Sequence, residues 1–245
     1  MERLNKIDVE GHWRSSAIAF RSDYRPWLEV FWDLVSEVSG VLRLLEGRRR
    51  LAENCSYLLL SKSLNHALAA FSLAERGLCV DSALASRNAI EALLLLQVLL
   101  LDPSEKLFER WSTGEEFKPG WVRNELKSKL TWKIRDLIVT FDQDAHDLNQ
   151  LTYNWLSDIT HANLNSANQA VQKVGDQSYE IFVGGSLNGA RALLNAVFAS
   201  VSGALLWTSV LCLGVFNRAH LEKTTSQWSL FEKRINGAAK QPLQS

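Results

Sequence analysis

The sequence is short of proline, cysteine and net charge, and each shortage narrows what the chain can be. Four prolines in 245 residues leave long stretches uninterrupted, so extended helices are allowed. Cys55, Cys79 and Cys212 are odd in number and far apart. They form neither a disulfide framework nor a zinc spacing, and read as buried free thiols of a reducing cytoplasm. Basic and acidic residues balance at 27 each. That balance lacks the positive surplus of a dedicated nucleic-acid binder, although it leaves room for a local patch. The start, Met1-Glu2-Arg3-Leu4-Asn5-Lys6, is charged with no apolar run behind it, so no signal peptide is expected.

Motifs are missing as well. The chain has no phosphate-binding loop, no dinucleotide glycine pattern and no Gly-x-Ser-x-Gly elbow. It lacks His-Glu-x-x-His and Glu-x-x-His spacings, so neither a metal nor a cofactor is expected. Gly184-Gly185-Ser186 reads as a turn followed by a helix cap.

What is present is helical periodicity. Pro26 suits a first helical turn, and Trp27, Val30, Phe31, Leu34, Val38, Val41, Leu42 and Leu45 recur at threes and fours up to Glu46. Gly47 comes next as a cap, and Arg48-Arg49-Arg50 reads as a solvated helix junction. A second helix is predicted over Leu51–Arg76 with Gly77 as its stop, and a third from Val80 or Asp81 to Leu101, closed by Asp102-Pro103. The third is apolar nearly all round, which predicts a central, buried position. Shorter helices are expected over Pro103–Trp111, from Pro119, and over Trp132–Phe141. Gln143–His161 leads into a further helix capped by Asp144 or Asp147. Val171, Val174, Tyr179, Ile181 and Val183 around Gly175-Asp176 predict a small β-hairpin near residues 168–184. A long apolar helix then runs to about Arg218, and Leu221–Ile235 is a last amphipathic one.

The expected class is therefore all-α: a multi-helix bundle with long central helices and one small hairpin. The expected organisation is an N-terminal arm over 1–25, one helical domain over 26–236 and a flexible tail over 237–245. Ala192–Phe216 carries no charge and is long enough to span a bilayer. Its Asn195, Ser200, Ser202, Thr208 and Ser209 favour a core helix, so the cytoplasm is the expected location and a membrane anchor through 192–216 the alternative.

Four constellations could carry chemistry. Tyr153, Ser157 and His161 form one stripe on a helix, opposite Leu148, Leu151, Trp155 and Ile159. The stripe lines a cleft or belongs to a buried polar network, and His161 is its natural proton carrier. Arg87 and Glu91 sit one turn apart on the apolar third helix beside Asn88, and charges there need partners. His66 is a lone histidine amid Leu59, Ala70 and Leu73, either satisfied in the core or part of a shared pocket with the other two groups. Asp142, Asp144, His146 and Asp147 read as a solvated helix start, since the glycine and glutamate of a calcium loop are absent. From Asp136 to Gln172 there are five aspartates and neither Lys nor Arg. Any positive charge beside His161 must come from elsewhere, and Arg87 is the candidate.

On the Arg87-x-x-x-Glu91 helix, the Pro119-x-x-Val122-Arg123 turn, the Tyr153-x-x-x-Ser157-x-x-x-His161 stripe and the late hairpin, the chain resembles an uncharacterised bacterial all-helical family known only as a domain of unknown function. The likeness covers roughly residues 27–220 and implies no established activity. A more distant similarity is to helical toxin and defence domains that cleave RNA. Those place a histidine five to seven positions after an arginine on one helix, and none of the five histidines here has such an arginine. The leading expectation is a bacterial binding or interaction protein with a polar pocket of Arg87, Glu91, His66, Tyr153, Ser157 and His161, with stress or phage defence as its setting. The enzymatic alternative is RNA cleavage by His161 as acid/base with Arg87 on a phosphate. Nine tryptophans and broad apolar faces suggest a homodimer; a partner protein, a small ligand and RNA are the other partner classes.

Overall fold

Local chemistry sets where each helix starts and stops. In the computed structural model, residues 9–127, 131–134, 137–140, 171–173, 179–181 and 187–240 are described. Eight helices lie among them: α1 Val9–Asp23, α2 Arg25–Leu45, α3 Leu51–Glu75, α4 Cys79–Leu100, α5 Lys106–Ser112, α6 Pro119–Lys127, α7 Leu187–Phe216 and α8 Arg218–Lys240. The all-α bundle is thus the architecture of the described residues. Strand is confined, among these residues, to β1 Thr131–Ile134 with β2 Leu137–Thr140, and β3 Val171–Lys173 with β4 Tyr179–Ile181, each pair antiparallel. Of the region 168–184, residues outside β3 and β4 are not described.

The α3–α4 turn fixes the direction in which α4 leaves α3. Gly77 has φ +77°, a conformation glycine enters without penalty. Its N–H donates to the Ala74 carbonyl and that of Leu78 to the Leu73 carbonyl, both at 2.9 Å. This double closure ends α3 and reverses the chain at once into α4, so the two pack antiparallel along their lengths. At the other end of α4, both oxygens of the Asp102 carboxylate are used. One accepts from the Ser104 N–H at 3.1 Å and the other from the Leu107 N–H at 2.9 Å, which caps α5.

The hydrophobic core gathers on α7, which packs against α4 and α8 and also against α2 and α3. Phe198 of α7 is fully buried at 0% exposure. Its ring stacks on Phe71 of α3 at 4.0 Å, and Phe71 stacks on Phe31 of α2 at 3.6 Å. Two polar residues within the apolar run bond to side chains of neighbouring helices. Asn195 accepts from Trp27 Nε1 at 2.9 Å, and Thr208 accepts from the Gln97 amide Nε2 at 2.9 Å. The apolar window of α7 is 72% buried within the chain, and that of α4 67%.

One expectation is overturned, and two helix boundaries are filled in. Helix α1 runs over Val9–Asp23, and Phe20 and the adjoining Tyr24 reach the core at 0% and 1% exposure. Its apolar residues Val9, Trp13, Ala17 and Phe20 are interrupted by exposed Ile18, so the period is weak although Phe20 is deeply buried. At its far end α8 continues to Lys240 with Ala238 buried. Where a helix is expected over Trp132–Phe141, the described residues form strands: β1 pairs with β2, with Thr131 opposite Thr140 and Ile134 opposite Leu137. The apolar spacing of Ile134, Leu137 and Ile138 fits either period, and β-branched Thr131, Ile134, Ile138, Val139 and Thr140 lose side-chain freedom in a helix.

Candidate functional site

Where α3 and α4 run side by side, three helical stripes face a common space. Leu58, Lys62 and His66 succeed one another at four-residue intervals on α3. Asn88, Glu91, Ala92 and Leu95 do so at short helical intervals on α4, and Pro119, Val122 and Arg123 on α6. Together with Trp111 of α5 and Phe117 of the loop after it, they line a cleft of about 610 Å³. That volume falls within the range of small-molecule pockets.

Each wall is held for a local reason. Glu91 is kept in place by Arg87, whose Nε donates to its Oε1 at 3.0 Å; the side chains retain 21% and 28% exposure. Half-buried and in the weaker order along the helix, such a pair adds only about 0.3–0.5 kcal/mol, so its main effect is to orient the carboxylate. Phe117 is set by the α5–α6 turn. Gly114 takes φ +92° there, Arg110 Nε donates to Glu115 Oε2 at 2.7 Å, and the Arg110 guanidinium lies 5.2 Å from the Phe117 ring centre. The Phe117 and Trp121 rings are 5.0 Å apart.

His66 titrates below its ordinary range. Burial disfavours its charged form, and the nearby Lys62 cation adds to the effect. At neutral pH the ring is a neutral donor and acceptor on the cleft wall. The three thiols behave differently. Cys55, Cys79 and Cys212 are free and buried, and burial raises all three, Cys79 and Cys212 to about 12. They are core groups and not nucleophiles.

The structure therefore brings together part of the expected constellation. His66, Asn88 and Glu91 share one cleft, with Arg87 behind Glu91. Pro119, Val122 and Arg123, a turn motif in the sequence, share it too. Tyr153, Ser157 and His161, and the group Asp142, Asp144, His146 and Asp147, lie outside the described residues. Among the described residues no three His, Cys, Asp or Glu side chains gather as a metal-ligating group. Lys62, Trp111 and Phe117 are additions that the sequence reading missed. The four-residue stripe through Leu58 and His66 is a usable signal for Lys62, whereas nothing local marks Trp111 or Phe117 as cleft walls. The arginine run at the α2–α3 junction serves the fold: Arg48 Nε donates to the Leu44 carbonyl at 3.0 Å and its guanidinium reaches buried Glu53 at 3.7 Å.

No family model, no curated protein and no solved structure matches this chain.

Proposed function

We propose that this is a bacterial, cytoplasmic helical binding protein whose ligand site is the cleft between α3, α4 and α6. One observation carries the reading: His66, Asn88, Glu91 and Arg123, polar residues from three helices, converge on a single cleft walled by Trp111 and Phe117. A few polar groups fixed within an apolar, aromatic surround are the usual composition of a ligand pocket. The Arg87–Glu91 pair and the Pro119–Arg123 turn, both singled out in the sequence, border this space. The reading takes residues 168–184 as a small hairpin leading into α7, supported by the pairing of Val171–Lys173 with Tyr179–Ile181. Homodimer formation and a role in stress or phage defence belong to the same proposal.

The test is a thermal-shift screen of a metabolite library against the wild type and Asn88→Trp, which fills the cleft. A ligand at one hundred times its Kd stabilises by about 2.7 kcal/mol. Compounds should shift the wild type and leave Asn88→Trp unmoved; equal shifts in both proteins would remove the cleft as the site. The RNA-cleaving alternative, with His161 and Arg87, requires Arg87 to exchange Glu91 for a phosphate.

A second reading, membrane attachment through residues 192–216, is favoured by the length and apolarity of α7. Against it stand four neighbouring helices that already cover that run.

A further inference from the structure

The cleft has a chemical bias beyond its shape. Lys62 on α3 and Arg123 on α6 bring cationic groups to different walls. The carboxylate of the lining, Glu91, is already engaged by the Arg87 guanidinium at 3.0 Å. Arg123 is half-buried on the cleft wall. The depressed titration of His66 has Lys62 as its second cause, which places the imidazole in a positive field. A cationic ligand would meet that field unfavourably, while an anion would relieve it.

Shape supplies the second half. Trp111 and Phe117 line the cleft, and Leu59, Ala92, Leu95 and Val122 give it apolar lining. Aromatic side chains in a wall favour planar aromatic groups by stacking. About 610 Å³ is far more than a bare phosphate or carboxylate fills. We propose, building on the cleft as the binding site, that its ligand is a small organic anion carrying a planar aromatic group, with the anionic end toward Lys62 and the ring between Trp111 and Phe117. Nucleoside phosphates and aromatic carboxylates share this chemistry.

Two probes separate charge from shape: 8-anilinonaphthalene-1-sulfonate and N-phenyl-1-naphthylamine, which has the same rings without the sulfonate. Fluorescence titration of the full chain, with near-ultraviolet circular dichroism confirming native packing, should give a single sulfonate site at least tenfold tighter than for the neutral probe. Lys62 is exposed, so Lys62→Glu should fold and should lose that preference. Displacement by adenosine monophosphate or by indole-3-carboxylate then assigns the source of the anion, and displacement by neither overturns the ligand class. Equal affinity for the two probes, or a preference that survives Lys62→Glu, refutes the anion while leaving the cleft as a binding site. Probe binding unchanged by Asn88→Trp would instead refute the cleft itself.

Discussion

Phe198→Ala is the sharpest test of how α7 is used. The ring is fully buried, stacks on Phe71 at 4.0 Å, and meets Tyr24 and Phe20 edge-on at 5.7 and 5.9 Å. Removing a buried Phe side chain costs about 3–5 kcal/mol in lost transfer energy and cavity formation. The lost stacking adds about 0.5–1.5 kcal/mol beyond area burial, which places the effect in the upper part of that range. With a urea slope of roughly 2–3 kcal/mol/M, a loss of about 4–5 kcal/mol moves the unfolding midpoint down by about 1.3–2.5 M. The assay is urea unfolding monitored by circular dichroism, with Leu84→Ala as control. Leu84 is 44% exposed on α4, and its truncation should change stability by only about 0.5 kcal/mol. If Phe198→Ala cost no more than the control, α7 would not be the centre of a protein core. A native chain recovered only in the membrane fraction would refute the core reading in a second, independent way.

Other perturbations probe the polar parts. Gln97→Leu should destabilise by about 1–3 kcal/mol, because it leaves the buried Thr208 hydroxyl without its 2.9 Å donor. Adding Thr208→Val should recover part of that loss, and a double-mutant cycle that is strictly additive would show the pair to be uncoupled. The thiols of Cys55, Cys79 and Cys212 should stay silent to a thiol reagent in native buffer and all react in denaturant; fast native labelling of any one contradicts its burial. His66 has its pKa below the unfolded value of 6.5, so the unfolded state binds more protons in the window between the two. Stability is therefore fully retained above that window and falls as pH drops through 6.5 toward the folded pKa. Burial is the first cause of the lowering and the Lys62 cation the second. His66→Gln should flatten the slope as pH falls through 6.5, and an unchanged slope would assign it to other groups.

Local rules are readable along the chain. Trp27, Val30, Phe31 and Leu34 recur at the helical period and are buried. Pro26 opens α2, Gly47 and Gly77 take the positive φ their positions require, and Asp102 caps the next helix. Each of these depends on residues within a turn or two, and such short-range chemistry is written in one dimension. Arg87 and Glu91 are legible as a pair for the same reason, being one turn apart.

Tertiary structure decided the rest. α1 looks weak by itself because the burial of Phe20 comes from Phe198 and the shared core on other helices, not from its own period. The apolar run of α7 fits a bilayer or a protein core equally well by composition, and the four helices around it supply the core. The cleft could not be read locally at all. His66, Glu91 and Arg123 are separated in sequence, and they meet because Gly77 folds α4 back along α3 while the capped α5 and the Gly114 turn carry Phe117 and α6 across them. Residue types declare which groups can bind a ligand, but only the packing of helices determines which of them share a wall.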